Sequence, residues 1–408
     1  MNILIVTPHF YPENFRINDF AEAFIERGHS ITVLTGVPNY PAGRFFQGYG
    51  IFKKNRETYK GIHIYRVPVI PRGSGSPFRL AINYISYVIG GVFTSLFLLR
   101  NKLDIIFVFE PSPITIGIPA IFIKKMKNIP LIFWVLDLWP ESVVSASSLN
   151  STLVPNLLIP IVKFIYRHCD RILVSSKGFI QSIVSKGVPN EKIEYYPQWA
   201  EALFKPMKRG NYLLKDIPED SFKIMFAGNI GEAQDFPSIL EAARLLKDKS
   251  DIHWIILGRG RKESWVRNKV EEYQLHDCFH LMGSFPLEKM PEFYSNADVM
   301  LFSLKREDIF ARTVPAKVQS YLACGKPILA MIDGEGASLI EESDAGYTSP
   351  AETPEMLAEN ALRLAALSQF QISAMGQRAR KYYDENFERG FLFDKAESMF
   401  ISFHMEHL

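Results

Sequence analysis

The chain has 408 residues, 47 % hydrophobic and 22 % charged, which excludes global disorder and exceeds one compact core, so two domains of about 200 residues each are expected. Its three cysteines (Cys169, Cys278, Cys324) are far apart with no CxxC pair, which argues against a disulfide framework or structural zinc and for a reducing cytoplasm. The net charge is only +2, but residues 1–200 hold 21 Lys and Arg against 12 Asp and Glu (+9), and residues 201–408 hold 25 against 32 (−7). No nucleic-acid motif accompanies the basic half, which therefore suits anionic lipid or phosphate.

The N-terminus, MNILIVTPHF, lacks the basic leader and cleavage site of a signal peptide and reads as a first strand, ILIVTP (3–8). A helix-period segment, NDFAEAFIERG (18–28), follows, with Gly28 as its C-cap. Strand-like runs then come at SITVLTG (30–36), HIYRVPVI (63–70), DIIFVFE (104–110), PLIFWVL (130–136) and RILVSS (171–176). Strands alternating with helices imply βαβ units and a parallel, doubly wound sheet. Leu80–Leu99 stands apart: 20 residues without a charge, between Arg79 and Arg100, downstream of Lys53, Lys54, Arg56, Lys60, Arg66 and Arg72. That length just spans a bilayer, but a span would put strands 3–8 and 104–110 on opposite sides of a membrane. A helix lying in the interface beside a basic patch and a buried crossover helix both stay open.

The second half repeats the alternation: FKIMFAG (222–228), a helix near 236–248, IHWIILG (252–258), a helix near 262–275, then CFHLMG (278–283), DVMLFSL (298–304) and KPILAMI (326–332). The tail 371–408 reads as helix with an aromatic stripe (Tyr382, Tyr383, Phe387, Phe391, Phe393) that packs across both domains. The expected fold is therefore α/β. Two Rossmann-like doubly wound domains, 1–203 and 204–385, face each other across a cleft near 197–221, and a C-terminal helix, 386–408, packs back on the first.

Doubly wound sheets bind ligands at the carboxyl ends of their strands, where helix N-termini offer free N–H groups to phosphate. Three turns of the second half have this form. AGNIGEAQDF (227–236) brackets a turn with Gly228 and Gly231 and supplies Asn229 and Gln234. LGRGRKES (257–264) brings Arg259, Arg261 and Lys262, and IDGEGASL (332–339) opens a helix around Gly336 and Ser338. One glycine turn is ordinary, but three in one domain point to a phosphate ligand. Lys317 either reaches that phosphate as a point charge or lies solvated in a first helical turn, where it would oppose the helix dipole.

In the first half, LDLWPES (136–142) sets Asp137 and Glu141 just after a strand as candidate catalytic carboxylates, each with a turn or capping alternative. TPHFYPENFRIND (7–19) offers Asn14 and Arg16 to a diphosphate and leaves His9 between packing and function. Glu110 is a further strand-end carboxylate. There is no HExxH, no Asp-x-Asp in a plausible loop, no nucleophile elbow and no GxGxxG after the first strand. A metal site is not expected, and a dehydrogenase is disfavoured.

Taken together, PHFYPEN…GHSITVLTGVPNYPAG, DLWPES, SSKGF…GVPNEKI…YPQWAE, FAGNIGEAQDF, ILGRG, MGSFPLEKMPEFYSNADVML and TVPAKVQSYLACGKPILAMIDGEG resemble the GT-B glycosyltransferases of the retaining family 4 nearly end to end. The pairing of GNIGEAQDF with TVPAKVQSYLACGKPI is most similar to the L-fucosamine transferases of O-antigen and capsule assembly. The resemblance implies an acceptor-binding first domain and a nucleotide-sugar-binding second one. Arg16, Gly228, Asn229, Gly231, Gln234, Arg259, Thr313, Lys317 and Ser338 would lie at the donor, Phe285 in the Ser284–Phe285–Pro286 loop at its base, and Asp137 near the sugar. The sequence departs from the family where two glutamates stand seven residues apart: those slots are Arg312 and Ser320, and the histidine usual before Asp137 is Leu136. The glutamates' roles are then vacant, moved to Gln319 or Glu335, or filled by water.

The implied protein is a cytoplasmic enzyme peripheral to the inner membrane. It would move N-acetyl-L-fucosamine from a UDP-sugar to an undecaprenyl-diphosphate-linked acceptor glycan, with no metal or other cofactor and no nucleic acid. A non-hydrolysing sugar-nucleotide 2-epimerase and a non-catalytic nucleotide-sugar-binding subunit are the rival readings.

Overall fold

The computed structural model describes residues 1–146, 153–210, 214 and 217–407. The expected boundary stretch 197–221 includes residues 211–213, 215 and 216, and the expected tail includes 408, all outside the described residues. The chain divides into two compact units, one of residues 1–197 with 393–408 and one of residues 198–392.

The first unit carries an eight-stranded sheet of β1 (Asn2–Val6), β2 (Ser30–Gly36), β3 (Arg56–Tyr59), β4 (Ile62–Val67), β5 (Ile105–Glu110), β6 (Leu131–Val135), β7 (Arg171–Val174) and β8 (Ile193–Tyr195). Their order is β3-β4-β2-β1-β5-β6-β7-β8, parallel except for the β3–β4 pair. Strands β5 and β6 are buried at every residue, as parallel strands covered on both faces must be. The order reverses between β1 and β5, which makes the loops after those two strands this unit's topological switch point.

The uncharged segment is the helix Pro77–Leu98, crossing from β4 to β5. It starts at Ser76, whose hydroxyl accepts the Arg79 N–H at 3.4 Å, with Pro77 in the first turn. Asn83, Tyr87, Gly91 and Ser95 recur every four residues and form its buried stripe. Gly90 and Gly91 let the backbone approach closely: a Cβ on Gly90 would lie 2.7 Å from the Pro68 carbonyl oxygen, and one on Gly91 would lie 3.0 Å from the Pro119 ring. The opposite face is open, with Phe78 74 %, Phe93 65 % and Phe97 55 % exposed. The helix is thus a crossover, but not a well-buried one.

The second unit carries a six-stranded parallel sheet of β9 (Phe222–Ala227), β10 (Ile252–Leu257), β11 (Phe279–Gly283), β12 (Val299–Ser303), β13 (Ile328–Met331) and β14 (Gly346–Ser349). Its order is β11-β10-β9-β12-β13-β14, so its switch point lies between β9 and β12. Apolar clusters cover both faces, one around Met300, Tyr321 and Ile328 and one around Trp254, Leu301 and Leu329.

The tail is two helices, Gln369–Asn386 and Arg389–Glu406, rather than one. Tyr383 and Phe387 join the second unit's core, Phe391 is exposed, and Phe393 packs edge-on against Phe20 at 5.2 Å in the first unit.

Candidate functional site

In the second unit, the loops leaving β9, β10, β12 and β13 converge at the carboxyl end of the sheet. Gly228 (φ +151) and Gly258 (φ +142) adopt a conformation open to glycine, and a Cβ on Gly258 would sit 1.8 Å from the Gly228 carbonyl oxygen. A Cβ on Gly260 would lie 2.2 Å from the Ile230 oxygen and 2.7 Å from Asn229 Oδ1. The two glycine turns therefore pack backbone on backbone, and side chains there would part them. Gln234 Oε1 accepts the Gly231 N–H at 3.1 Å and closes the first turn.

Lys317 begins the helix Lys317–Ala323 after β12 and sends its ammonium across the switch point. Its Nζ lies 4.3 Å from the Phe226 ring centroid, and a Cβ on Gly228 would come within 2.7 Å of it. Burial, with no carboxylate partner among the described residues, pulls its pKa down to about 8. A cation held over a glycine backbone beside an aromatic face, with no anionic partner among the described residues, is arranged to receive one.

The other second-unit residues sort plainly. Arg259 is exposed, and its side chain makes no ion pair among the described residues. Lys262 does not wait for phosphate: it pairs with Glu232 at 2.6 Å, Lys305 pairs with the other Glu232 oxygen, and both hold the Glu232 carboxyl below its usual range. Phe285 is 37 % exposed beyond β11 and packs on Phe293 at 4.4 Å. Thr313 turns its hydroxyl to the Ile309 carbonyl at 2.7 Å.

The helix Glu335–Glu342 starts one turn before Ser338, whose N–H is already bonded to the Gly334 carbonyl at 3.0 Å. The backbone N–H of Ser338 is thus engaged within the helix, which leaves its hydroxyl as the group a donor could meet. Arg312 pairs with Asp308 at 2.9 Å, and Ser320 is buried. Gln319 is fully buried, with its amide nitrogen placed to donate to the Pro315 and Ala316 carbonyls at 3.2 and 3.0 Å. It braces the Lys317 turn and cannot reach a ligand, whereas Glu335 stands half-buried at a helix start.

In the first unit, Asp137 follows β6, half-buried. Trp139 Nε1 lies 3.2 Å from both Asp137 Oδ2 and Ser112 Oγ, and burial raises the Asp137 pKa. Glu110 ends β5 fully buried, and neither carboxylate oxygen has a hydrogen-bond partner among the described residues. Desolvation, and then the Asp137 charge, push its pKa well above the carboxylate range. Glu141 opens the helix Glu141–Ala146, where it accepts Lys186 Nζ at 2.7 Å and Ser182 Oγ at 2.5 Å, so an ion pair already occupies one of its oxygens. Arg16 opens the helix Arg16–Glu26 after the β1 loop.

That loop holds a pair which sequence reasoning left undecided: His9 Nδ1 lies 2.8 Å from Glu13 Oε2, with both side chains buried. A His four residues before a Glu was the only signal available.

Two doubly wound units, each with its ligand end at a switch point, are the fold of the GT-B glycosyltransferases. Solved structures of that kind match over nearly the whole chain. Sucrose-phosphate synthase from Thermosynechococcus elongatus superposes with a TM-score of 0.78 at 14 % identity, covering 98 % of each chain. Anabaena HepE, solved in complex with UDP and glucose, gives 0.69 at 14 % identity, covering 98 % of this chain and 100 % of that one. Two family models match, "Glycosyl transferase 4-like domain" over residues 14–199 and "Glycosyl transferases group 1" over 221–366, so each half of the chain is similar to a glycosyltransferase domain. Among relatives, the Pseudomonas aeruginosa protein named "Probable glycosyltransferase WbjE" is 28 % identical over 62 % of this chain and 64 % of its own. The Escherichia coli K12 protein named "Putative colanic acid biosynthesis glycosyl transferase WcaI" is 23 % identical over 80 % of this chain and 82 % of its own.

Proposed function

We propose that this protein transfers a sugar from a UDP-sugar to a lipid-linked acceptor in bacterial surface polysaccharide synthesis, with retention of anomeric configuration. The observation that carries this reading is the Lys317 ammonium over Gly228 at the second unit's switch point. The diphosphate would rest on the Gly228–Gly231 and Gly258–Gly260 backbones and the first-turn amides of Glu335–Glu342, with Lys317 and Arg259 as its cations. Phe285 would stack on the base, and Glu335 would take the ribose contact left vacant at Ser320. As the bond from the sugar carbon to diphosphate oxygen breaks, its electron pair passes to the diphosphate, where these cations and amides stabilise it. The acceptor oxygen bonds to the same carbon, and its proton goes to the departing diphosphate. Asp137 would orient the sugar hydroxyls.

UDP as the nucleotide is supported by the UDP-bound HepE structure, and a polysaccharide product by the name of WcaI. N-acetyl-L-fucosamine and an undecaprenyl-diphosphate-linked acceptor are the finest form of the proposal. The open face of the helix Pro77–Leu98, with Arg79 in its first turn and Arg100 just past its end, supports attachment to the cytoplasmic leaflet of the inner membrane. Metal independence belongs to the same reading, and turnover in excess EDTA is its check.

A thermal-shift screen against UDP-, GDP- and dTDP-sugars tests the donor. A ligand at 100 times its Kd stabilises by about 2.7 kcal/mol, which is readily seen. Product analysis with and without acceptor then decides the class: an epimerase interconverts donors alone, and a binding subunit shows stabilisation without turnover.

A further inference from the structure

The first unit's switch point has a built polar notch of its own. The loop after β1 carries His9, and the loop after β5 carries Pro113. Both line a notch with Asn39, Arg72 and Tyr84 that has room for about one water, ≈ 10 Å³. His9 is only 6 % exposed, its ring stacked on Phe15 at 4.8 Å and tilted against Tyr40 at 5.2 Å. Glu13, 2 % exposed, fixes it further. Glu13 Oε1 accepts the Asn39 and Tyr40 backbone N–H groups at 2.8 and 2.6 Å, and Oε2 faces His9 Nδ1 at 2.8 Å.

The tautomer follows from these partners. A carboxylate already taking two amide protons on one oxygen takes the Nδ1 proton on the other, and in the neutral imidazole this leaves Nε2 with its lone pair. Among the described residues, nothing donates to that lone pair. Arg72 lies across the notch: its Nη2 reaches the Tyr84 hydroxyl at 3.3 Å, and its Nε is buried with no partner. The Tyr84 ring in turn packs on Trp139 at 5.9 Å, and Trp139 donates to Asp137. His9 and Arg72 line the same water-sized hole, and a hydroxyl needs one lone pair and one N–H.

We propose that this notch is an acceptor subsite in which one hydroxyl of the acceptor sugar donates to His9 Nε2 and accepts from Arg72 Nε. The inference rests on the glycosyl-transfer reading and adds the residues that recognise the acceptor. Glu13 is then a positioning residue, acting through the tautomer of His9.

The decisive variant is Glu13→Gln, which fits the same space. Its amide nitrogen would donate to Nδ1 and drive the proton to Nε2, so the notch would meet the hydroxyl with two donors. With a panel of octyl glycosides as acceptors, Glu13→Gln should raise the acceptor KM about tenfold or more. UDP-sugar affinity and kcat at saturating acceptor should stay within twofold. His9→Gln, whose carbonyl reaches the place of Nε2, should keep more acceptor affinity than His9→Leu.

A readout independent of turnover is ¹⁵N NMR of the histidine side chains, with His9 assigned by its absence in His9→Gln. The wild type should show the Nδ1–H tautomer, and its Nε2 resonance should move on addition of the glycosides. An Nε2–H tautomer in the wild type, an unchanged acceptor KM in Glu13→Gln, or a parallel loss of donor affinity overturns the subsite. If the wild type transfers nothing, the transfer reading fails, and the glycoside-induced shift of His9 still decides whether the notch binds a sugar.

Discussion

If Lys317 is the cation that holds the donor diphosphate, donor affinity must follow its protonation. Burial lowers its pKa to about 8, so the apo protein loses this charge as pH rises through that value, well before an ordinary lysine would. Bound diphosphate favours the ammonium and raises the pKa again, so binding takes up a proton and weakens with increasing pH. The binding-competent fraction is roughly 0.9 at pH 7 and roughly 0.1 at pH 9. The apparent Kd therefore rises about tenfold across that range, or about 1.4 kcal/mol. Isothermal titration with the UDP-sugar giving the largest thermal shift measures this, and a sugar diphosphate has no phosphate proton to lose in the window. Lys317→Arg stays charged throughout and should give a flat profile, which also cancels any ionisation of the base. Lys317→Met should bind the donor poorly at every pH yet melt higher than wild type at pH 7, because it removes an uncompensated buried charge. A wild-type Kd that is flat between pH 7 and 9 would refute the assignment.

Three further outcomes are expected. Glu110 has a folded-state pKa above its unfolded value, near 4.5, so its ionisation costs stability that is absent below pH 4.5 and grows as pH rises towards the raised value. The Tm of Glu110→Gln relative to wild type should therefore climb with pH in thermal melts, and a pH-independent difference would contradict the burial argument. Gly258→Ala, which drives a Cβ to 1.8 Å from the Gly228 oxygen at φ +142, should cost about 2–4 kcal/mol by denaturant unfolding and abolish donor-induced stabilisation. In sedimentation with vesicles, binding to anionic but not zwitterionic membranes is expected, weakened by salt and by joint replacement of Phe78, Phe93 and Phe97 with serine. Equal binding to both lipid types would remove the basic flank from the explanation.

Much of the fold was legible because parallel strands buried on both faces are written as apolar runs: β5 (IIFVFE) and β6 (LIFWV) have no competing reading. Three strands escaped. β3 (RETY) is a charged, antiparallel edge, and β8 (IEY) and β14 (GYTS) are short edge strands whose pairing comes from their neighbours rather than from their own composition. The glycine turns of the second unit were legible for a related reason, since a strand followed by Gly-x-x-Gly leaves few backbone options. What sequence could not supply was partnership. Lys262 looks as suited to phosphate as Lys317 until Glu232 is found beside it, and Gln319 looks like a stand-in for a lost glutamate until its burial is seen. The His9–Glu13 pair depends on the Asn39 and Tyr40 amides, 26 and 27 residues further along the chain, which no local pattern announces.

The division of the chain also bears on the order in which it can fold. The first unit takes its strands from the first 197 residues but is completed by residues 393–408. Phe393 and Phe400 pack on Phe20 and Phe24, Glu397 reaches Arg27 at 2.6 Å and His29 at 2.7 Å, and Lys395 meets the Tyr195 carbonyl at 3.0 Å. During vectorial synthesis, the part begun first is finished last, after the intervening unit has emerged in full. Until then one flank of its sheet lacks its aromatic cover, so a ribosome stalled or a chain clipped near residue 390 leaves the amino-terminal half unfinished while the donor loops are already made.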